Sequence, residues 1–68
     1  MTLGEKIKYL RTFRGWSQEA LAKSAGANQR SVCKWEHNDY NITLKKLVRL
    51  SKAFGLEPDE LLNGCDFD

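Results

Sequence analysis

Four glycines divide this 68-residue chain into short segments with helical periodicity, and this division constrains the fold more than any other feature. Each of them follows an amphipathic segment, at the position where a helix commonly ends in a left-handed residue. The four are Gly15, Gly26, Gly55 and Gly64. Apolar residues recur every three or four positions, and no stretch alternates apolar and polar residues long enough to indicate a strand. The sequence therefore predicts an all-α fold.

Capping residues place five helices in the chain. Thr2 and Glu5 have the spacing of a capping box, which predicts a first helix over about residues 3–14. Three further N-caps begin the next helices. Ser17 begins a second helix that ends near Ser24, and Asn28 begins a third over about residues 28–36. Thr43 begins a fourth helix that continues to Gly55. Pro58 fits the first turn of a short fifth helix. Residues 37–42 and 63–68 are predicted to be a polar loop and a loose end.

The apolar positions of these helices predict one small core, and a chain of this length has room for a single domain, residues 1–68. The expected core positions, by segment, are Leu3, Ile7 and Leu10; Leu21, Ala22, Ala25 and Ala27; Val32 and Trp35; and Leu44, Leu47, Val48, Ser51 and Phe54. Trp16 has core spacing, and we expect Tyr9 and Phe13 in the core as well rather than in a ligand site, so stacking on single-stranded nucleic acid is not expected.

Charge is distributed unevenly along the chain. Residues 1–56 hold all eleven Lys and Arg and four acidic residues, a formal charge of +7, whereas residues 57–68 hold five acidic residues and no base. A basic body suits a polyanion such as nucleic acid, and the acidic end should face away from it. No apolar run is long enough to span a membrane, the N-terminus lacks the features of a signal peptide, and the two cysteines fit a reducing compartment. We therefore expect a cytoplasmic protein without membrane association.

Residues 17–36, SQEALAKSAGANQRSVCKWE, hold the most informative spacing. Ala22 is followed four residues later by Gly26 and six residues after that by Val32. Two short helices that cross steeply need a small residue at their closest approach, a glycine to turn and a branched residue to fix the second helix. This pattern predicts a helix-turn-helix whose second helix enters the major groove of DNA. A helical hairpin that only packs is the alternative.

The sequence resembles the phage Cro/repressor type, or XRE family, of helix-turn-helix regulators. The resemblance rests on IKYLRTFRGWSQEALAKSAG, SVCKWE and TLKKLVRLSKAFGLEPDELL, which occur in the family's order and spacing. It implies a compact five-helix domain with the lambda-repressor-like DNA-binding fold. The loop EHNDYNITLKKL also resembles that of restriction–modification controller proteins. The chain departs from the family at Asn38, where many members have Gly, at Asn41, near which many have Pro, and at Ala27 and Cys33.

The family positions that touch bases correspond to Gln29, Arg30 and Lys34 in the third helix. With Val32 and Trp35 turned inward, these three face outward together with Cys33 and His37. Gln can bond bidentately to adenine, and Arg or Lys to guanine. Ser31 is expected to reach either a base edge or a phosphate.

Phosphate contacts are expected beside the same groove. Gln18 begins the second helix, where free backbone amides favour an anion. The other candidates are Asn28, Asn38, Tyr40, Asn41, Thr43 and Lys45. Alternatively, the side chain of Asn28 is occupied as an N-cap, and the loop residues only form a turn. Lys8 and Arg14 are expected to add only a diffuse field. The resemblance further implies an internal pair between Arg11 and Glu36.

No enzymatic activity, cofactor, metal or small-molecule ligand is expected. Cys33 and His37 share a helix face, but no third catalytic group accompanies them, and two ligands fall short of a structural zinc site. The partners expected are double-stranded DNA and a second copy of the chain.

One recognition helix reads only a few base pairs, so we expect a homodimer on a palindromic operator, with Leu61 or Leu62 of the C-terminal helix in the contact. Alternatively, both leucines complete the monomer core. The alternative function is a protein-interaction or antitoxin module that retains the helix-turn-helix fold.

Overall fold

The computed structural model describes residues 1–39 and 42–65, which form five α-helices and no strand. The helices are α1 (Leu3–Phe13), α2 (Gln18–Ala25), α3 (Gln29–Glu36), α4 (Leu44–Phe54) and α5 (Pro58–Leu62). The all-α prediction is confirmed, and the predicted helix bounds differ from these by one residue or so. Tyr40, Asn41 and the last three residues of the predicted loose end lie outside the described residues.

Local hydrogen bonds explain where the helices begin. At the start of α1 the Oγ1 of Thr2 accepts from the backbone N–H of Glu5 at 3.1 Å, and the Thr2 N–H donates to Glu5 Oε1 at 2.9 Å. The Oγ of Ser17 accepts from Ala20 N–H at 3.0 Å, and Oγ1 of Thr43 accepts from Lys46 N–H at 3.2 Å. Each bond satisfies a first-turn amide that has no partner within its own helix.

The core lies where all five helices meet. α2 packs against α3 and α4, while α1 packs against α3 and α5. The buried apolar residues of the core are Leu3, Ile7, Leu21, Ala22, Ala25, Val32, Trp35, Leu50, Phe54 and Leu61. Trp16, Leu47, Leu56 and Leu62 are half-buried against this cluster. Leu61 is fully buried within its own chain, so of the two leucines expected at a subunit contact only Leu62 keeps exposed surface.

Three residues expected in the core are exposed instead. Tyr9 and Phe13 are 55% and 77% exposed, and their rings stack on each other with centroids 6.1 Å apart. They follow Ile7 by two and six positions, which turns them to the opposite side of α1. Leu44 is 74% exposed because it begins α4, beyond the residues of that helix that reach the core.

Arg14 has a structural role rather than the diffuse electrostatic one expected of it. Its Nη2 donates to the backbone carbonyl of Phe54 at 2.8 Å. Its guanidinium also lies 5.2 Å from the Phe54 ring centroid and 5.6 Å from that of Trp16. The two rings stack with centroids 5.8 Å apart, so Arg14 covers an aromatic pair that joins the end of α1 to the end of α4.

α1 and the end of α3 approach each other closely at Gly4. The backbone N–H of Gly4 donates to Asn38 Oδ1 at 3.0 Å, and Asn38 has a left-handed backbone with φ of 60°. Asn tolerates this conformation better than most residues, which explains how it replaces the family's glycine here. A Cβ on Gly4 would lie 2.6 Å from Asn38 Oδ1 and 2.8 Å from the Glu36 carbonyl oxygen, so only glycine fits without movement.

Candidate nucleic-acid interface

A three-residue turn joins α2 to α3 and fixes their relative position. Gly26 ends α2 with a left-handed φ of 67°, and the N–H of Ala27 donates back to the Ala22 carbonyl at 2.8 Å. Val32 is fully buried against this pair of helices, and Ala22 is nearly so. The spacing of Ala22, Gly26 and Val32 therefore has the structural role predicted for it. Asn28 then begins α3 by accepting from Ser31 N–H through Oδ1 at 2.8 Å.

The outward face of α3 is polar and cationic. Gln29, Arg30 and Lys34 are exposed, and Ser31 is partly buried beside them. Val32 and Trp35 occupy the opposite, buried face of the helix. A helix held by two apolar anchors and presenting amide, guanidinium and ammonium groups to solvent is suited to hydrogen bonding with base edges.

Cys33 and His37 lie on the same outward face. The Sγ of Cys33 is 3.8 Å from Nδ1 of His37, and the same Nδ1 is 2.8 Å from the Cys33 backbone oxygen. Among residues 1–39 and 42–65, no group of three or more His, Cys, Asp or Glu is arranged to hold a metal ion.

A buried ion pair connects α1 to α3. Arg11 Nε lies 2.6 Å from Glu36 Oε2, and Nη2 donates to Oε1 at 3.1 Å. The two side chains are only 12% and 2% exposed. Arg11 Nη1 also donates to the carbonyl of Trp16 at 2.8 Å. A buried pair is weak evidence for net stability, but loss of one partner leaves an uncompensated charge and costs about 3–5 kcal/mol.

The side chain of Gln18 joins this pair instead of pointing freely away from the protein. Its Nε2 donates to Glu36 Oε1 at 3.1 Å. The carboxylate of Glu36, which belongs to α3, therefore connects α1 and α2 to α3 through hydrogen bonds. No local sequence pattern predicts this contact, because Gln18 and Glu36 are eighteen residues apart.

The other expected phosphate ligands differ in how they are placed. The oxygens of Asn28, Asn38 and Thr43 already accept backbone N–H groups, while Lys45 is exposed. Tyr40 and Asn41 lie outside the described residues.

Two cations of α4 that are not among the predicted site residues reach the turn that leads into α3. Lys46 Nζ donates to the carbonyl of Gly26 at 2.7 Å. Arg49 is exposed, and its Nη1 would lie 3.2 Å from a Cβ placed on Gly26. The clustering of four cations within residues 45–52 is the sequence signal that points to them.

Within the part of the chain that the structure describes, no helix combines the length and apolar character needed to cross a bilayer.

Comparison with known proteins links this geometry to a family. Residues 4–66 match the family described as Helix-turn-helix domain. The chain is 38% identical to the HTH-type transcriptional regulator DicA of Escherichia coli (strain K12) over 94% of its own length, and it spans 47% of that relative.

Two solved structures share the fold closely. The P22 c2 repressor protein in complex with a synthetic operator, from Salmonella phage P22, superposes with a TM-score of 0.87 and 33% identity, over 94% of this chain and 97% of that one. The restriction–modification controller protein C.AhdI from Aeromonas hydrophila gives a TM-score of 0.83 and 36% identity, over 87% of this chain and 89% of that one. These similarities confirm the repressor-like fold predicted from the sequence.

Proposed function

Because this chain belongs to the Cro/repressor type of helix-turn-helix family, we propose that it is a transcriptional regulator that binds double-stranded DNA in a sequence-specific manner. α3 is the recognition helix and lies in the major groove. The observation that carries this proposal is the contrast between the two sides of α3. Val32 and Trp35 are buried, while the exposed side presents hydrogen-bonding and cationic groups.

Base readout falls to Gln29, Arg30 and Lys34, with Ser31 at the edge of the contact. All three long side chains are exposed, so they can extend into the groove without disturbing the core. Arg30 and Lys34 suit the O6 and N7 acceptors of guanine, and the amide of Gln29 suits adenine. The operator therefore contains guanine opposite α3.

Phosphate contacts position the helix without reading sequence. Lys45 contributes an exposed ammonium at the start of α4, and Gln18 contributes the N-terminal end of α2. Asn28, Asn38 and Thr43 use their oxygens within the protein, but each also carries an N–H or O–H donor for a phosphate oxygen. Tyr40 and Asn41 complete the set.

We further infer that the protein acts as a symmetric dimer on a palindromic site. A single short helix reads too few base pairs for selectivity, and two-fold pairing places two recognition helices about one DNA turn apart, ~34 Å. With Leu61 buried, the contact uses the half-buried Leu56 and Leu62 near α5. The acidic residues of this region would meet strong repulsion near phosphates, which favours their placement away from DNA.

A selection from randomised DNA duplexes tests the main proposal. The wild-type chain should enrich one motif, and Arg30→Ala should relax the preference at one position and lose about 1–3 kcal/mol on the preferred site. Lys8→Ala is the matched control, because it removes an exposed cation from α1 and should leave the motif unchanged. No enrichment by the wild type, or an unaltered motif with Arg30→Ala, would contradict the proposal.

The protein-interaction alternative requires an apolar outward face on α3. Gln29, Arg30 and Lys34 make that face polar and charged, so DNA binding is the better-supported function.

A further inference from the structure

Helix α4 carries a row of three exposed cations, Lys45, Arg49 and Lys52, which we name the α4 stripe. Their spacing of four and then three residues puts them on one face of the helix. α4 contains four cations and no carboxylate. Like charges one turn apart disfavour a helix. Lys52 lies in the last turn of α4, where the helix dipole favours a cation, but helix stability does not explain Lys45 and Arg49 one turn apart.

Arg49, in the middle of the α4 stripe, lies beside the turn that joins α2 to α3. A Cβ on Gly26 would be 3.2 Å from Nη1 of Arg49, and Lys46 next to the stripe donates to the Gly26 carbonyl at 2.7 Å. Gly26 precedes Gln29, the first residue of α3, by only three positions, which span at most about 11 Å. The stripe is therefore adjacent to the N-terminal end of the recognition helix.

Helix capping explains only part of this arrangement. The last carbonyls of α2 attract cations, and Lys46 satisfies one of them by a direct hydrogen bond. That role accounts for Lys46 and is compatible with the position of Arg49. It gives no reason for exposed cations one turn to either side, at Lys45 and Lys52.

We propose that the α4 stripe binds phosphates of the DNA backbone alongside the groove that α3 enters, so that Arg49 and Lys52 extend the contact begun by Lys45. This inference rests on the proposed function. The stripe extends over the eight residues from Lys45 to Lys52, about 10 Å along the helix axis. One DNA strand carries a phosphate charge every ~3.4 Å of helix axis, so the stripe is long enough to meet more than one phosphate of a strand.

The salt dependence of DNA binding tests the inference. The probe is a 30-base-pair duplex enriched by the wild-type chain from a randomised pool, and affinity is measured over a series of salt concentrations. The slope of log K against log salt is negative, and each lost phosphate contact should lower its magnitude by about 0.9. In the proposed dimer the double variant Arg49→Gln/Lys52→Gln removes four contacts, so the magnitude of the slope should fall by about 3.6 and binding should weaken several-fold at low salt, with the enriched motif unchanged.

Single variants provide the matched control. Lys52→Gln and Lys8→Gln each remove one exposed cation, so they change the overall charge equally. Only Lys52→Gln should lower the magnitude of the slope, and both should melt near the wild-type temperature because neither side chain is buried. Equal slopes for the two variants would overturn the α4 stripe contact while leaving α3 as the recognition helix. An altered motif in the double variant would also overturn it, since phosphate contacts carry no sequence information. A wild-type chain that enriches no duplex would instead refute the proposed function.

Discussion

At the scale of single residues, the close approach at Gly4 shows how the fold restricts a position that looks unremarkable in the sequence. Gly4 lies in the first turn of α1, where glycine is a poor helix former. Its backbone N–H bonds to Asn38, and the carbonyl of Glu36 passes within reach of any added Cβ. The helix therefore accepts a weak helix former so that α1 and the end of α3 can touch.

Gly4→Ala is expected to destabilise the protein, although alanine normally favours a helix by about 1 kcal/mol. The added methyl meets backbone carbonyls of α3, which cannot move as a flexible side chain can. Overpacking of this kind costs about 1–3 kcal/mol. Chemical denaturation measures the change, with Ser24→Ala on the exposed side of α2 as the control that should not destabilise. A gain in stability for Gly4→Ala would show that the two segments separate easily.

Residues with local roles were predictable from spacing, whereas among the distant contacts the Arg11–Glu36 pair was expected only through the family resemblance. The capping functions of Thr2, Ser17 and Thr43 depend on neighbours three positions away, so the sequence predicts them directly. The bond between Gln18 and Glu36 joins different helices, and so does the packing of Arg14 on Phe54. No periodic pattern encodes such contacts, because they depend on how the helices are placed in three dimensions.

At the scale of elements, the helix pair α2–α3 is held by few side chains, and Val32 is central among them. Its side chain is fully buried between the helices. Periodicity predicted this position correctly. The expectation for Tyr9 and Phe13 was wrong because it relied on their aromatic character and not on periodicity, although their spacing from Ile7 turns them outward.

Val32→Asp should unfold the domain or loosen it severely, because an unpaired carboxylate would be buried at the contact between α2 and α3. Leu44→Asp introduces the same group at an exposed apolar position and should melt close to the wild-type temperature. Thermal denaturation followed by circular dichroism compares the two variants. Equal melting temperatures for Val32→Asp and wild type would be incompatible with the packing described for α2 and α3.

At the scale of the whole molecule, the two leucines of the last helix, α5, differ in how far they are buried. Leu61 is fully buried and completes the core, whereas Leu62 is half-buried and keeps apolar surface in solvent. Composition alone left both uses open for both residues. A helix of five residues has too few positions for periodicity to separate a buried leucine from a partly exposed neighbour.

Sedimentation equilibrium at micromolar concentration should show a monomer–dimer equilibrium, strengthened by a palindromic duplex. Leu62→Lys should weaken dimerisation by about tenfold, equivalent to about 1.4 kcal/mol. Leu61→Ala should instead lower the free energy of unfolding by about 2–5 kcal/mol, because it leaves a cavity in the core. A strictly monomeric wild-type chain, both free and on the duplex, would rule out the dimer.

The carboxylate of Glu36, held by Arg11 and Gln18, has a thermodynamic consequence for recognition. The three side chains come from three helices, so α3 cannot tilt or shift along its axis without breaking hydrogen bonds that are shielded from water. A reading helix that is already ordered loses little conformational entropy when it meets its target. Under the proposed function, less of the free energy of base contacts is then consumed in ordering the helix backbone, and more of it is available for discriminating one sequence from another.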